Sequence, residues 1–224
     1  MTARDEAGRI AATLRALAPL LDGGALLVAD DCSRDATAQI AAAAGARVLR
    51  SEHPLGKGGA ATLAARQAQR ELDSMRSAGT AEPIVLLCDA DLGESAARLD
   101  ALVQAVSSRQ ADLAVAAFSR RVGGGLGVAV AFARWAIERR CGLVARAPLS
   151  GQRALRADVL GDVLPFAGGF GMELGMTVDA VRAGYRVLEL ELDLDHRATG
   201  RTPAGFAHRA RQLRDCVRAY LARR

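Results

Sequence analysis

Two carboxylates stand one residue apart in CDADLGE, residues 88–94, directly after the apolar run PIVLL. Successive side chains of an extended chain point to opposite sides, so Asp89 and Asp91 share a side and can converge on one divalent cation. Carboxylate oxygens suit Mg²⁺ or Mn²⁺, and diphosphate oxygens would complete the shell such ions prefer. Paired acids at a strand end also serve as ordinary turn and cap residues, so the motif needs context. HPLGKGGAA, residues 53–61, supplies some: it carries Lys57, the only lysine of the chain, between two glycines at the mouth of a helical pattern. A cation at a helix N-terminus opposes the helix dipole, a cost that is offset where an anion lies beside it.

These residues fall at the ends of apolar runs. ALLVAD (25–30), ARVLR (46–50), PIVLLCDA (83–90), DLAVAAF (112–118) and YRVLELEL (185–192) read as strands. Helical patterns lie between them: 34–44 with Ser33 as N-cap, 57–75, 94–107, 128–144, 171–183 with Gly184 as its stop, and a basic helix over 203–221. MTARDEAGRIAATLRAL opens directly into a helix, with Thr2 or Asp5 as its cap. The alternation predicts an α/β fold with a mostly parallel sheet and helices on both faces. Ligands of such sheets sit at the carboxyl ends of the strands, where Asp30, Asp31, Lys57, Asp89 and Asp91 all fall.

No repeat, low-complexity tract or linker divides the 224 residues, which predicts one domain over 1–224 ending in the basic helix from about 203. The net charge of +5 is uneven: residues 197–224 carry eight arginines and one acid, leaving the remainder at −2. Aromatics are 4% of the chain, too few for the stacking platforms of single-stranded nucleic-acid binders, so no nucleic-acid partner is expected. The basic tail suits phosphates of a small molecule or an anionic membrane surface. Cys32, Cys88, Cys141 and Cys216 are scattered and form no CxxC pair, which reads as reduced thiols in a cytoplasmic protein. The opening residues show no basic-then-apolar pattern and no uncharged apolar run reaches membrane-spanning length, so neither export nor a membrane span is expected.

ARDEAGRI (3–10), VADDCSRDAT (28–37), HPLGKGGAA and CDADLGE, in that order, resemble the motifs of family 2 glycosyltransferases of the GT-A fold. The pattern there is a PAxNE start, a DDxSxD turn, a GKGxA helix entry and a DxD metal motif. SGQRAL (150–155) is similar to the SGFRAL stretch of polyprenyl-phosphate hexose transferases, and GFGMELGMTVDAVRAGYRVLELEL (169–192) extends the likeness over essentially the whole chain.

The resemblance implies roles by position. Ala3 and Glu6 match the start motif lining the nucleotide pocket, and Asp31, with Asp30, matches the acid that accepts a base N–H from uracil or guanine; a helix-dipole cap is a compatible reading. Lys57 matches the GKG lysine, whose glycines let the backbone approach a phosphate and whose ammonium gives a compact charge unlike arginine's planar fork. A solvated helix-start lysine is the plainer reading. Asp91, Asp89 through water, and His196 are the implied metal ligands, His196 because glucosyl-phosphoglycerate synthases and other relatives place a histidine there. Asp91 and Glu173 are the catalytic candidates, Glu173 serving as base, as binder or as neither, according to the acceptor. Arg201 and Arg209, with Arg197, His208 and Arg211, could clamp the diphosphate or an acceptor phosphate, whereas Arg214, Arg218, Arg223 and Arg224 read as a solvated face. The acceptor is expected near Gly151, Gln152 and Arg153.

Two departures stand out. Relatives begin with a strand ahead of the ARDEA position; none is evident here, so the first strand is expected to be missing and the N-terminus incomplete. DDCS stands where DDGS is usual, which asks for a negative φ at Cys32. The implied activity is metal-dependent transfer of a hexose from UDP- or GDP-hexose to a phosphorylated acceptor. Val128, Phe132, Trp135 and Ile137 beside arginines fit a membrane-contacting helix and a polyprenyl phosphate met at the inner membrane face, although a core helix explains the same spacing. A small acceptor such as phosphoglycerate is the alternative, as is a non-catalytic nucleotide-sugar-binding homologue. A sugar-phosphate nucleotidyltransferase would want a GxGxR-type loop after the first strand, and the sequence has none there.

Overall fold

A computed structural model of the protein describes residues 1–21, 23–77, 83–119, 127–195 and 203–223. The first strand is present, contrary to expectation, as a two-residue β1 (Thr2–Ala3) beside β2 (Leu27–Asp30). Periodicity cannot register so short an element; its pairing does, with Ala29 N–H donating to Met1 O and Asp31 N–H to Ala3 O, both at 2.9 Å. β2 runs parallel to β1 on one side and to β3 (Arg47–Arg50) on the other, and its four residues are buried throughout. β1 also bridges across to Asp89, just past β4 (Ile84–Leu87). That bridge joins the two sheets into the order β3-β2-β1-β4-β6-β5-β7, with β5 at Leu113–Phe118, β6 at Arg153–Arg156 and β7 at Val187–Leu192.

β6 runs antiparallel to β4 and β5, while β5 and β7 are parallel. It grows from SGQRAL, which carries no strand alternation because Arg153, Ala154 and Leu155 are all buried between neighbouring strands and flanking helices. Alternate residues of β5 enter different cores, Ala114 and Ala116 on one face, Leu113 and Val115 on the other. The first core is covered by α1 (Ile10–Leu17), a 3₁₀ segment (Gly93–Leu99) and α4 (Asp100–Ser107); the second by α3 (Gly56–Ser77), α6 (Ala157–Val163) and α7 (Met172–Arg182). α5 (Val128–Cys141) and α8 (Pro203–Ala222) pack on α7 in a third cluster. Ile137 is fully buried there and Phe132 meets Trp135 and Tyr220, whereas Val128 and Trp135 remain about half exposed, so core packing accounts for part of the α5 spacing.

The turn after β2 holds the ARDEA segment by reciprocal bonds. Asp5 N–H donates to Ser33 Oγ at 2.9 Å, Arg34 N–H to Asp5 Oδ1 at 2.8 Å, Glu6 N–H to Thr37 Oγ1 at 2.8 Å and Ala7 N–H to Asp35 Oδ2 at 3.1 Å. Ser33 is thereby taken up as a partner of Asp5 rather than as the helix cap, and α2 begins later, at Thr37–Ala43, where Asp35 Oδ1 accepts the Thr37 N–H at 3.0 Å. Cys32 has φ +58°, not the negative value expected; its thiol donates to Ser51 O at 3.1 Å.

The second GKG glycine serves close packing within the protein. A Cβ on Gly58 would stand 2.0 Å from the Ala167 carbonyl oxygen, so the first turn of α3 can meet the loop before α7 only with glycine there. Gly58→Ala is expected to lower the unfolding free energy by about 2–3 kcal/mol with an unchanged m-value in urea; a loss within 0.5 kcal/mol, on the order of a neutral surface change, would contradict this packing.

Candidate active site

A cleft of about 1540 Å³ opens at the carboxyl ends of β1, β2 and β4. Single-ligand pockets hold roughly 300–1,000 Å³, so this one has room for two substrates. At its base Lys57 Nζ lies 2.9 and 3.0 Å from the two oxygens of Asp89 and 2.9 Å from Glu173 Oε1. Burial pulls the ammonium's pKa down, but the two carboxylates outweigh it and hold it above the ordinary lysine value. Burial would push Asp89 up, yet Lys57 and Gln152 keep it below the usual carboxylate range. Gln152 grips Asp89 twice, accepting its backbone N–H on Oε1 and donating Nε2 to Oδ2, each at 3.1 Å. A Cβ on Gly151 would lie 2.6 Å from Lys57 Nζ and 2.9 Å from Asp89 Oδ2, so glycine is required behind the pair.

Asp89 and Asp91 do share a side. Burial alternates through Cys88, Asp89, Ala90, Asp91 and Leu92: both acids stand partly exposed in the cleft lining, the buried Ala90 touches the lining between them, and Cys88 and Leu92 lie inside. Asp31 also lines the cleft and caps α3, accepting from Leu55 N–H at 2.6 Å and Gly56 N–H at 3.1 Å, with Arg4 Nη1 at 3.6 Å. Ala3, Glu6, Lys57, Gln152 and Arg209 line it as well.

Four expected site residues lie behind this surface. Asp30 is 1% exposed and faces Arg50 Nε at 3.3 Å, away from the cleft lining. Gly151 backs the Lys57–Asp89 pair without reaching the lining. Arg153 is completely buried, its Nε donating to Ser150 O at 2.8 Å and Nη1 to Thr177 Oγ1 at 3.0 Å, and burial lowers its pKa to about 10. It supports the cleft from within and has no surface to offer an acceptor. Glu173 is 2% exposed and engaged by Lys57, so of its three readings, as base, as binder or as neither, the geometry favours the last. Its setting in the apolar run GMELGM is the sequence signal for that burial. His196 and Arg201, with Arg197, lie outside the described residues.

The opposite wall is α8. Arg211, Arg214 and Arg218 line the cleft beside His208 and Arg209, and Arg223, paired with Asp179, reaches it too, so three arginines whose sequence reading is a solvated face belong to it: Arg214, Arg218 and Arg223. The spacing of three and four residues puts Arg211, Arg214 and Arg218 on one helical face, a signal available in the sequence. Arg214 pairs with Asp215, whose Oδ2 accepts the Phe170 N–H at 3.3 Å and docks α8 on the loop before α7. His208 sits edge-on to Phe170, and burial with Arg211 and Arg209 nearby lowers its pKa.

Counted formally, Lys57, Asp89 and Glu173 carry one net negative charge and Asp91 adds a second. Hard oxygen donors with this charge, facing an arginine wall, fit a divalent cation bearing a diphosphate. Among the described residues no three His, Cys, Asp or Glu side chains gather into a closed metal site, so Asp91 and Asp89 would hold such an ion with ligand oxygens completing its shell.

The ion cluster fixes a stability profile. Asp89's contribution is present above about pH 4 and lost as pH falls through its lowered folded-state value, while Lys57's is present below about pH 10 and lost only above its raised one. Lys57→Met strands Glu173 without its partner and is expected to cost about 3–5 kcal/mol in chemical unfolding at pH 7. Lys57→Arg is expected to recover less than half of that, because Gly151 leaves no space for a planar fork. Full recovery by arginine would contradict the reading of this cluster.

Comparison with known proteins identifies the fold. Crystal structures of glucosyl-3-phosphoglycerate synthase from Mycobacterium tuberculosis are similar over 99% of this chain. The complex with Mn²⁺, UDP and phosphoglyceric acid gives a TM-score of 0.75 at 27% identity, covering 76% of that chain. The complex with Mn²⁺, UDP and glucosyl-3-phosphoglycerate gives 0.72 at 26% over 77% of that chain, and the complex with Mg²⁺ and UDP gives 0.73 at 26% over 76%. A comparison with curated protein sequences gives no match. The family model for glycosyl transferase family 2 matches residues 1–139, more than half of the chain and the part holding Asp31, Lys57, Asp89 and Asp91. With that match and the GT-A architecture around the cleft, the chain belongs to glycosyl transferase family 2 and is a glycosyltransferase.

Proposed function

We propose that the protein transfers a hexose from UDP-hexose to a small phosphorylated acceptor of the phosphoglycerate class, with Mn²⁺ or Mg²⁺ bound at Asp91 and Asp89. The observation carrying this reading is the bipolar cleft, acidic at Asp89 and Asp91 and basic along Arg209, Arg211, Arg214 and Arg218. Its size suits a nucleotide-sugar and a second anion together. The similar synthase structures, with UDP, Mn²⁺ and phosphoglyceric acid, support the choice of nucleotide, metal and acceptor. A lipid acceptor has less support: of the suspected membrane face Ile137 is buried, and Val128 and Trp135 stand only about half exposed.

Asp31 and the β1 edge at Ala3 and Glu6 receive the base, and Lys57 holds Asp89 in place behind the diphosphate site. A divalent cation there supplies electrostatic stabilisation of the charge that develops on the leaving diphosphate. The α8 arginines orient the acceptor phosphate against the hexose, where bidentate contact fixes direction as well as charge.

UDP-glucose and 3-phosphoglycerate are expected to give UDP release that requires Mn²⁺ or Mg²⁺ and stops with EDTA. Arg211→Ala/Arg218→Ala is expected to raise the acceptor KM about tenfold, the effect of one lost charge-assisted contact, with little change in UDP affinity. Transfer to polyprenyl phosphate but not to phosphoglycerate would overturn the acceptor assignment, and failure with UDP-sugars alongside turnover of GDP-sugars would overturn the donor.

A further inference from the structure

The turn that carries Asp91 is held from below by a helix that supplies nothing to the cleft. α1 buries Ile10, Leu14 and Leu17, and in the same apolar face stands Thr13, fully buried. A hydroxyl in such a place is costly unless both its donor and its acceptor capacity are used. Thr13 Oγ1 donates to Ala90 O at 2.8 Å and accepts the Gly93 N–H at 2.8 Å; the carbonyl of its own helix, at Arg9, is farther, at 3.3 Å. One hydroxyl thus ties together the two ends of the segment Ala90–Gly93, which reverses direction at Gly93 with φ +57°. Arg9, one turn earlier on the exposed side, donates Nη1 to Asp91 O at 2.9 Å. Asp89 is fixed separately, by Lys57 and Gln152.

We propose that Thr13 is a positioning residue that sets Asp91 relative to Asp89, and so the affinity of the acidic pair for a divalent cation. The inference rests on the reading that this pair holds the cation. Without the bridge the turn keeps its buried anchors Ala90 and Leu92, so the chain still folds, but the backbone that carries Asp91 loses a tie and its carboxylate is set less closely, by the sub-ångström amounts to which oxygen coordination responds.

The test is isothermal titration of UDP into full-length protein over a Mn²⁺ series, beside Mn²⁺ titration followed by electron paramagnetic resonance. Thr13→Val keeps the shape and removes the hydroxyl. It is expected to weaken Mn²⁺ binding and the Mn²⁺-dependent part of UDP binding about tenfold, leaving metal-free UDP binding unchanged. Thr13→Ser is expected to return both to within twofold of wild type. A merely structural role would lower the melting temperature and the active fraction while leaving the dissociation constants of the folded protein unmoved. Wild-type Mn²⁺ affinity in a folded Thr13→Val overturns the inference alone; absence of any metal-enhanced UDP affinity in the wild type removes it together with the proposed function. If Thr13→Val gives no cooperative melt, Arg9→Ala decides: a roughly threefold loss of Mn²⁺ affinity supports the positioning role of α1, and an unchanged value overturns it.

Discussion

One ammonium between two carboxylates organises this protein. Lys57 enters from the first turn of α3, Asp89 from the end of β4 and Glu173 from the first turn of α7, so three elements distant in sequence meet at one point. Each ion would be costly at this depth alone, and together they offset one another's desolvation. The compact ammonium explains why a chain rich in arginine keeps a lysine here: Gly151 closes the space behind it, and its tetrahedral donors reach two acids on different sides. The cost of a cation at the start of a helix, raised by the sequence, is answered by carboxylates of the protein itself.

That arrangement leaves the base of the cleft negative and gives α8 a reason to be basic. Asp215 docks α8 against the loop at Phe170, and the same helix then turns Arg211 and Arg218 toward the cleft. A ligand that is both cationic and anionic along its length, such as a metal-bound diphosphate beside a second phosphate, satisfies both walls at once. The glycines at 58, 151 and 169 are where backbones or ion pairs come too close for a side chain, and they lie where α3, β6 and α7 converge on the site.

Much of this was legible in the residues, and the exceptions have physical causes. The alternation argument puts Asp89 and Asp91 on one side, and they do share it, although the chain has left β4 and turns at Ala90 and Asp91 while burial still alternates; the order of DDCSRDAT, GKG and DAD marks three stretches that do line one cleft. β6 escaped because a strand buried on both faces loses the period-two signal, and Arg153 escaped as a core residue because arginine is so seldom buried that its type outweighs its apolar setting. β1 was invisible as a two-residue element whose existence lies wholly in its pairing. Arg214, Arg218 and Arg223 read as solvated because charge spacing on a helix tells which residues share a face, and only the packing of α8 tells what they meet. Thr13 had no signal at all: its bonds cross 77 and 80 residues to a turn it does not resemble.

The central claim is that the acids at the end of β4 receive a divalent cation that carries the donor diphosphate. Anomalous scattering at the manganese edge from crystals grown with UDP and Mn²⁺ tests it most directly. The account predicts a single strong peak beside the Asp91 carboxylate, within a bridging water of Asp89, with the diphosphate of UDP on the same ion. A peak remote from both acids, or UDP bound in the cleft with no manganese at that turn, would contradict it.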